Sequence, residues 1–207
     1  MKRVEPLALV GRHVRLEPLD LDHAPALLAA ANAGRSTYDL TFVPSTLAGM
    51  EAYIVTALSE QDHGQSLPFV VRDGSGEVVG STRFMCIESW SWPGEPPAPV
   101  PSGPDAVEIG ATWYAERVQR TALNTEAKLL LCGQAFDRWG VRRVTWKTDE
   151  RNARSRAAIQ RLGARFDGVL RANRAGADSV VRSTAFYSML AEEWHEARRA
   201  LLGKLEG

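Results

Sequence analysis

The sequence predicts a single layered domain of the α/β or α+β class, built around a mixed β-sheet. Segments that alternate polar and apolar side chains are interspersed with amphipathic helical segments, without the strict alternation of a purely parallel fold. A chain of 207 residues, with 44% hydrophobic and 24% charged residues, is long enough for one domain with a sizeable core. We therefore expect residues 1–207 to form one domain.

The first part of the chain predicts a strand, two helices and a hairpin. Residues 12–18 alternate polar and apolar side chains and end at a proline, as an early strand does. Asp22 is a candidate N-cap of the first helix, and a second helix is expected from about Thr46 to Leu58, where apolar residues recur at helical spacing. Two apolar runs within residues 67–84 flank an Asp-Gly-Ser-Gly segment, which is a strong hairpin signal.

Residues 89–106 interrupt this pattern and predict an irregular loop inserted into the domain. The segment contains Trp90, Trp92 and six prolines, a composition that favours an extended loop over a helix or a strand. Two interpretations stay open: a surface insertion, or a lid in which the two tryptophans cover a pocket.

The remainder of the chain predicts further strands that are interspersed with helices. Asn152 is placed to begin one of these helices, and Gly163 is its candidate C′ residue, because glycine is favoured at that position. The expected elements are a strand over 107–114, a helix from about Thr125 to Trp139, a strand over 143–149, a helix over 152–163, strands near 166–171 and 180–190, and a terminal helix from about Glu192.

The overall charge and hydropathy of the chain indicate neither a nucleic acid nor a membrane as a partner. Lys plus Arg and Asp plus Glu are 25 each, and no segment approaches the roughly 18 apolar residues that suggest a membrane span. We expect a cytoplasmic protein. Cys86 and Cys132 lie in apolar surroundings and are expected to be buried, reduced thiols. The four histidines are scattered, so we expect no metal site.

The loop over residues 118–125 is the strongest functional signal. An apolar strand ends in this short polar loop, which then opens a helix, so several backbone N–H groups are presented at the positive end of a helix dipole. Such a site binds phosphate or pyrophosphate. The alternative is an ordinary strand–loop–helix connection in which Asn124 or Thr125 is the N-cap.

Two segments carry a resemblance to a known family. Residues 119–127, Q-R-T-A-L-N-T-E-A, are similar to a Q/R-x-x-G-x-G/A loop followed by a helix, and residues 152–164, N-A-R-S-R-A-A-I-Q-R-L-G-A, match N-x-x-S-x-x-x-I-x-x-L-G-A. On these segments the chain resembles the GCN5-related N-acetyltransferases (GNAT), most closely the RimJ/RimL-like ribosomal-protein N-acetyltransferases. The sequence departs from the family at Ala122 and Asn124, where the family usually has glycine or alanine; glycine is commonest at the position of Ala122. Alanine still allows close approach to a phosphate at negative φ.

The resemblance implies a fold, an activity and a co-substrate. The implied fold is a mixed, mostly antiparallel sheet flanked by helices on both faces, and the implied reaction is direct acetyl transfer from acetyl-CoA to a primary amine in a ternary complex. The acceptor is a protein N-terminus or a small amine, and no metal takes part. The implied acetyl-CoA contacts are Trp113 and Tyr114 (through the main chain), Gln119, Arg120, Thr121, Ala122, Leu123, Asn124, Thr125, Asn152, Arg154 and Arg156.

Two residues are candidates for proton transfer. Glu108 lies on the strand before the loop and is the candidate general base, acting through water, with a solvated strand-end glutamate as the alternative. Strand alternation predicts that Glu108 shares a face with Gly110, Thr112 and Tyr114. The resemblance implies that Ser155 lies near the thioester sulfur and protonates the leaving thiolate. It also implies that Asn152 binds the pantetheine arm, although Asn152 is equally suited to cap its own helix.

The acceptor pocket is the least specific part of the sequence. Tyr38, Phe42 and Trp90 are its candidate walls, with core packing as the alternative. Ten Lys and Arg residues lie between Arg138 and Arg171, an excess that suits the phosphates of CoA and would also suit a nucleic-acid-binding module. A non-catalytic CoA-binding regulatory protein is a further alternative. The sequence leaves open a homodimer and the identity of the acceptor.

Overall fold

The structure, a computed structural model, describes residues 4–206 and is organised around one twisted sheet. Its strands are β1 (Leu9–Val10), β2 (Val14–Pro18), β3 (Ser66–Asp73), β4 (Val78–Glu88), β5 (Ala106–Tyr114), β6 (Arg143–Asp149), β7 (Arg165–Ala175) and β8 (Val181–Leu190). Its helices are α1 (Ala24–Asn32), α2 (Leu47–Asp62), α3 (Ala122–Gly133), α4 (Ala153–Gln160) and α5 (Ala191–Glu206), and a π-helical turn over Gln134–Trp139 extends α3.

The eight strands of the described chain form a single sheet in the order β1-β2-β3-β4-β5-β6-β8-β7. Every neighbouring pair is antiparallel except β5 and β6, which are parallel because α3 carries the chain back across the sheet between them. The predicted mixed, mostly antiparallel sheet is therefore confirmed.

Helices cover both faces of this sheet. On β4, Thr82 contacts Lys128 of α3, whereas its neighbour Arg83 forms an ion pair with Glu60 of α2 at 3.0 Å. Successive strand residues point to opposite faces, so α2 and α3 lie on opposite sides. The apolar core is continuous across both layers, with Phe69, Phe84 and Tyr187 among its largest fully buried side chains.

The β3–β4 hairpin forms at the predicted turn. The Asp73 carboxylate accepts hydrogen bonds from the backbone N–H groups of Ser75 and Glu77 and from the Ser75 hydroxyl, at 2.6 to 3.1 Å. Gly76 takes a φ of +90°, which glycine adopts without the steric penalty of a Cβ. Local side-chain and backbone chemistry thus determines this turn, as the sequence indicated.

Several predicted helix boundaries are wrong. Asp20, not Asp22, caps the first helical segment, a 3₁₀ turn that precedes α1. The helix α3 begins three residues earlier than predicted, because Thr121 is its N-cap and accepts a hydrogen bond from the Leu123 N–H. Asn124 and Thr125 therefore lie inside the first turn. The helix α2 does begin after Thr46 but continues to Asp62.

Residues 89–105 form no regular element between β4 and β5. Several of their contacts are with residues 138–142, before β6. Ser102 donates to the carbonyl of Arg138, and Arg142 donates to the carbonyl of Pro97 and lies 5.3 Å from the Trp92 ring centroid. These contacts hold the loop at the end of the sheet where β5 and β6 both start.

A buried carboxylate fixes the β1–β2 turn to α3. Glu126 of α3 is 8% exposed and accepts hydrogen bonds from the backbone N–H groups of Arg12, His13 and Val14, at 2.6 to 2.9 Å. A Cβ added to Gly11 would lie 2.4 Å from this carboxylate, so only glycine allows so close an approach. The contact ties the sheet edge to the first turns of α3.

Replacing this carboxylate by an amide is expected to destabilise the fold. In Glu126→Gln, an NH₂ group meets backbone donors, and at least one buried N–H loses its acceptor, a loss that costs about 3 kcal/mol. Urea denaturation measures the change in the free energy of unfolding. The control is Glu51→Gln on the exposed side of α2, which is expected to change stability by less than about 0.5 kcal/mol. Equal stability of both variants would contradict the structural role of Glu126.

Candidate active site

The central feature of the site is a split in the sheet. β5 and β6 pair only through Ala106–Glu108 and Arg143–Thr145, although β5 continues to Tyr114 and β6 to Asp149. Beyond Glu108 the two strands share no register pair. The open end of the split is bordered by the N-termini of α3 and α4, because each of these helices follows one of the two strands.

A bulge in β5 changes the direction of its side chains within the split. Ala111 has a φ of +47°, and the pairing with β4 shifts between Ser81 and Arg83. As a result the Thr112 hydroxyl bonds groups on the α3 side, whereas Glu108 and Gly110 pair with β4 residues that face α2. The prediction that Glu108, Gly110, Thr112 and Tyr114 share one face is therefore wrong.

Glu108 lies at the closed end of the split, on the α2 face. It is 6% exposed, and its Oε2 atom is 2.7 Å from the Lys147 ammonium and 3.4 Å from the Cys86 thiol. A Cβ at Gly110 would lie 2.9 Å from the other oxygen, Oε1, so the glycine leaves space beside that atom. The alternative of a solvated strand-end glutamate does not describe this buried, ion-paired carboxylate.

Lys147 and Cys86 are the site residues that the sequence did not indicate. Burial lowers the pKa of Lys147, but the hydrogen bond and charge of Glu108 outweigh burial and raise it overall, so the ammonium is retained. Burial and the Glu108 charge raise the pKa of the Cys86 thiol, which disfavours a thiolate nucleophile. Cys86 is exposed as a residue, contrary to the prediction, whereas Cys132 is buried as predicted; both are free thiols.

The loop before α3 presents unpaired backbone donors. Arg120 is left-handed at φ +61°, and the N–H groups of Arg120 and Thr121 have no hydrogen-bond partner among the described residues. Ala122 follows as the first helical residue with a negative φ. Leu123 is 3% exposed and belongs to the core, so any contribution it makes to a ligand is through the backbone. The arrangement suits a phosphate group.

On the other side of the split, Asn152 is the N-cap of α4. Its Oδ1 atom accepts a hydrogen bond from the Ser155 N–H at 3.0 Å, which confirms the capping interpretation and leaves the side-chain amide donor of Asn152 available. The Arg154 guanidinium bonds the carbonyl of Thr37 and approaches the Gln119 side-chain oxygen at 3.4 Å. Residues from both motifs are therefore brought together.

The segment after α1 closes over the open end of the split. The Tyr38 hydroxyl and the Gln119 amide each donate to the carbonyl oxygen of Tyr114 at 2.9 Å, and Tyr38 packs edge-on against Trp113. The Gln119 amide also donates to the Thr37 hydroxyl. Tyr38 is thus placed beside β5 at the open end of the split.

Other predicted residues have different surroundings. Arg156 donates to the Tyr187 hydroxyl at 2.9 Å and lies over the Phe166 ring, on the side of α4 that faces β8. Phe42 is 69% exposed. The Trp90 indole donates to Glu88 and stacks with Arg143, at the start of β6. None of these residues contacts Glu108 within the part of the chain that the structure describes.

Two cavities adjoin the helix N-termini. One, of about 210 Å³, is lined by the β1–β2 turn and the first residues of α3, including Arg12, Thr121 and Ala122. The other, of about 320 Å³, lies between the segment after α1 and the start of α4, and is lined by residues that include Thr37 and Asn152. Both border the loops that the sequence motifs identify.

Half of the basic residues between Arg138 and Arg171 are neutralised within the fold. Five of these ten residues form ion pairs with carboxylates: Arg142, Arg143, Lys147, Arg151 and Arg165. Within residues 4–206, no helix combines the length and apolar character needed to cross a membrane, and no group of three or more His, Cys, Asp or Glu side chains is placed to hold a metal ion.

Comparisons with known proteins agree on one family. The model of the acetyltransferase (GNAT) domain matches residues 13–165. A GCN5-related N-acetyltransferase from Brucella melitensis is 29% identical, with a TM-score of 0.81 over 98% of this chain and 87% of that one. A protein from T. thermophilus, whose assignment as an acetyltransferase is provisional, is 32% identical over 98% of both chains, with a TM-score of 0.78.

One structural neighbour was solved with a ligand. RimJ from Mycobacterium smegmatis, in complex with CoA-disulfide, is 20% identical and superposes with a TM-score of 0.76 over 97% of this chain and 93% of that one. At this identity the similarity concerns the fold. No match was found among curated protein sequences.

A buried lysine lies directly behind the bulge. Lys128 of α3 is 5% exposed and donates to the Thr112 hydroxyl at 2.7 Å and the Thr82 hydroxyl at 3.3 Å, with no carboxylate partner among the described residues. Burial lowers its pKa to about 7. The folded protein therefore binds the Lys128 proton more weakly than the unfolded chain does. As a result Lys128 destabilises the folded protein at any pH at which the unfolded chain holds this proton.

Lys128→Met is expected to stabilise the protein in a pH-dependent way. The two threonine hydroxyls, 2.7 Å apart, still bond each other after the change. The gain in free energy of unfolding, on the order of 4 kcal/mol, is full below pH 7, where the folded protein must hold a buried charge. It disappears as the pH rises from 7 to about 10.5, where the unfolded lysine also loses its proton.

Urea denaturation of both proteins at several pH values measures this difference. Lys204→Met, at an exposed position on α5, is the control and is expected to show no such trend. A pH-independent difference for Lys128→Met would contradict the buried, depressed-pKa lysine.

Proposed function

We propose, from the premise that this chain belongs to the acetyltransferase (GNAT) family and is an N-acetyltransferase, that it uses acetyl-CoA to acetylate a primary amine at the split between β5 and β6. One observation supports this above the others: the split has a buried carboxylate, Glu108, at its closed end and two helix N-termini with motif residues at its open end. Donor and acceptor can therefore approach each other from opposite ends of one cleft.

The residues around the split fit a nucleotide-tailed thioester. Arg120 and Thr121 offer free backbone donors for a pyrophosphate, and Asn152 offers a free side-chain donor for an amide of the pantetheine arm. The indole N–H groups of Trp113 and Trp146, one on each diverging strand, are buried without a partner in the described chain. The CoA-disulfide complex of RimJ, a protein of the same fold, supports this assignment.

Acetyl-CoA, when bound, supplies the activated acetyl group; the protein's residues orient the acceptor and move protons. Glu108 accepts a proton from the acceptor ammonium, directly or through water, because only a neutral amine is nucleophilic. Lys147 holds Oε2 of Glu108, which leaves Oε1 beside Gly110 to face the acceptor. The Ser155 hydroxyl, on the first turn of α4, gives its proton to the departing thiolate and regains one from the acceptor nitrogen, which becomes the amide nitrogen.

The acceptor approaches from the α2 face, where Glu108 lies. We retain Tyr38, which lies beside β5 at the open end of the split, and Phe42 and Trp90 as walls of the acceptor pocket. The acceptor class is a protein N-terminus or a small amine. This choice is consistent with a carboxylate at the base of the pocket, which attracts an ammonium group.

Glu108→Gln is expected to lower kcat by about 100-fold or more and to leave the KM for acetyl-CoA within about twofold, because the amide cannot accept the proton. The measurement is release of CoA thiol, with N-terminal peptides and small amines as acceptors. Isothermal titration with CoA reports binding separately. Glu51→Gln, at an exposed position on α2, is the control.

Two results would contradict this proposal. A Glu108→Gln variant that loses CoA binding but keeps kcat would remove Glu108 from proton transfer. A wild-type protein that binds CoA but releases no thiol with any amine would favour the non-catalytic regulatory alternative.

A further inference from the structure

A positively charged surface lies on the same face of the sheet as Glu108. Lys147, which bonds Glu108, is the cross-strand partner of Phe186 on β8, and its ammonium lies 5.3 Å from that ring centroid. Thr184 and Arg182, two and four residues before Phe186, share its face; Thr184 is buried and Arg182 is partly exposed. Ala185 and Tyr187 are fully buried on the opposite face.

A second arginine, Arg174, lies beside Arg182 on the neighbouring strand. Arg174 of β7 is the register partner of Arg182, and directly opposed residues of antiparallel strands share a face. We call Arg174 and Arg182 the arginine pair. Two like charges in direct cross-strand opposition destabilise a sheet, so this pair needs a compensating anion or a role that offsets its cost.

The carboxylates near the arginine pair are already neutralised by other cations. Glu108 is bonded by Lys147 at 2.7 Å, and Asp149 is bonded by Arg151 at 2.7 Å. Within residues 4–206, Arg182 forms no ion pair; its Nε donates to the Thr184 hydroxyl at 3.2 Å, and Arg174 has no side-chain hydrogen bond. The arginine pair therefore retains most of its guanidinium donors.

The electrostatics of Arg182 agree with this geometry. Burial lowers the pKa of Arg182 most, and the neighbouring charges of Arg174 and, to a smaller extent, Arg151 lower it further, while Asp149 and Glu108 act in the opposite direction. The half-buried guanidinium of Arg182 thus lies in surroundings that disfavour its charge, and it interacts electrostatically with Glu108. An incoming anion would be stabilised there by two planar, bidentate donors.

We propose that the arginine pair binds an acidic side chain of the acceptor, so that the preferred acceptor is a peptide N-terminus with Asp or Glu at its second to fourth position. The inference rests on the proposed function. The Arg182 guanidinium bonds Thr184, which is two residues, about 7 Å of strand, from Phe186. The Phe186 ring centroid in turn lies 5.3 Å from the Lys147 ammonium that bonds Glu108. This path from Arg182 to Glu108 is longer than a free amino acid but equals a few residues of extended peptide. The α-amine then lies at Glu108 while the acidic side chain reaches the arginine pair.

Matched peptides test this preference on the full chain. Six-residue peptides with a free N-terminus differ only at position two, three or four, where they carry Asp, Asn or Lys, and thiol release gives kcat/KM at saturating acetyl-CoA. At one or more positions we expect the Asp peptide to exceed its Asn counterpart by about tenfold, as a charge-assisted hydrogen bond provides, and the Lys peptide to be the poorest.

Variants assign the preference to the arginine pair. R182Q is expected to reduce the Asp-to-Asn ratio to near one, whereas R199Q, the same change at an exposed arginine of α5, keeps it. A ratio near one in the wild type, or an unchanged ratio in R182Q, would overturn the proposal. A raised KM for acetyl-CoA in R182Q, with the ratio unchanged, would instead place the pair at the co-substrate. Circular dichroism confirms that each variant is folded.

A binding measurement separates this inference from the catalytic one. Fluorescence anisotropy of C-terminally labelled Asp and Asn peptides, with CoA present, does not require turnover. Selective binding of the Asp peptide that R182Q abolishes, without thiol release by any amine, would support the arginine pair and refute the proposed catalysis. Turnover of amines without any selective binding or turnover of acidic peptides would refute the arginine pair alone.

Discussion

The site depends on how far β5 and β6 remain paired. A parallel pair within a mostly antiparallel sheet is produced by the α3 crossover, and it holds for three register pairs before the strands diverge. Glu108 is the last paired residue of β5, so its position at the closed end follows from where pairing stops. The helices α3 and α4 begin beyond the two diverging ends, which brings their motifs to the same opening. Backbone geometry thus positions both halves of the site.

Backbone strain is concentrated around this split and in the hairpin formed by β7 and β8. The non-glycine residues with positive φ in residues 4–206 are Cys86, Ala111, Arg120, Ala172 and Ser179. Cys86 touches Glu108, Ala111 forms the bulge, and Arg120 lies in the loop before α3. Such conformations cost about 1–3 kcal/mol each and persist only where the surrounding structure holds them. The buried Lys128 behind the bulge destabilises the same region further, since its ammonium has no carboxylate partner among the described residues.

The sequence predicted what local patterns determine. The hairpin turn, the strands and the Asn152 cap depend on residues close together in the chain, and these predictions were confirmed. The start of α3 was misplaced because Thr121, Asn124 and Thr125 are all good caps, and tertiary packing selects among them. The face assignment along β5 failed because the bulge at Ala111 interrupts the regular alternation of side chains that the prediction assumed. Lys147 and the arginine pair come from separate strands, so only the sheet order brings them to the face of Glu108.

Charge on this face follows an order that links catalysis with recognition. Nearest the split, Lys147 and Glu108 form an ion pair. The positive charge of Lys147 is therefore already compensated when an acceptor ammonium approaches Oε1 of Glu108. Asp149 and Arg151 form the next pair, and the arginine pair lies beyond them. A neutral or basic acceptor leaves two opposed guanidinium groups uncompensated, whereas an acceptor with an acidic side chain neutralises them at the moment its amine reaches Glu108. Under the proposed function, the strand register that places Glu108 at the split therefore also places the arginine pair where it discriminates between acceptors.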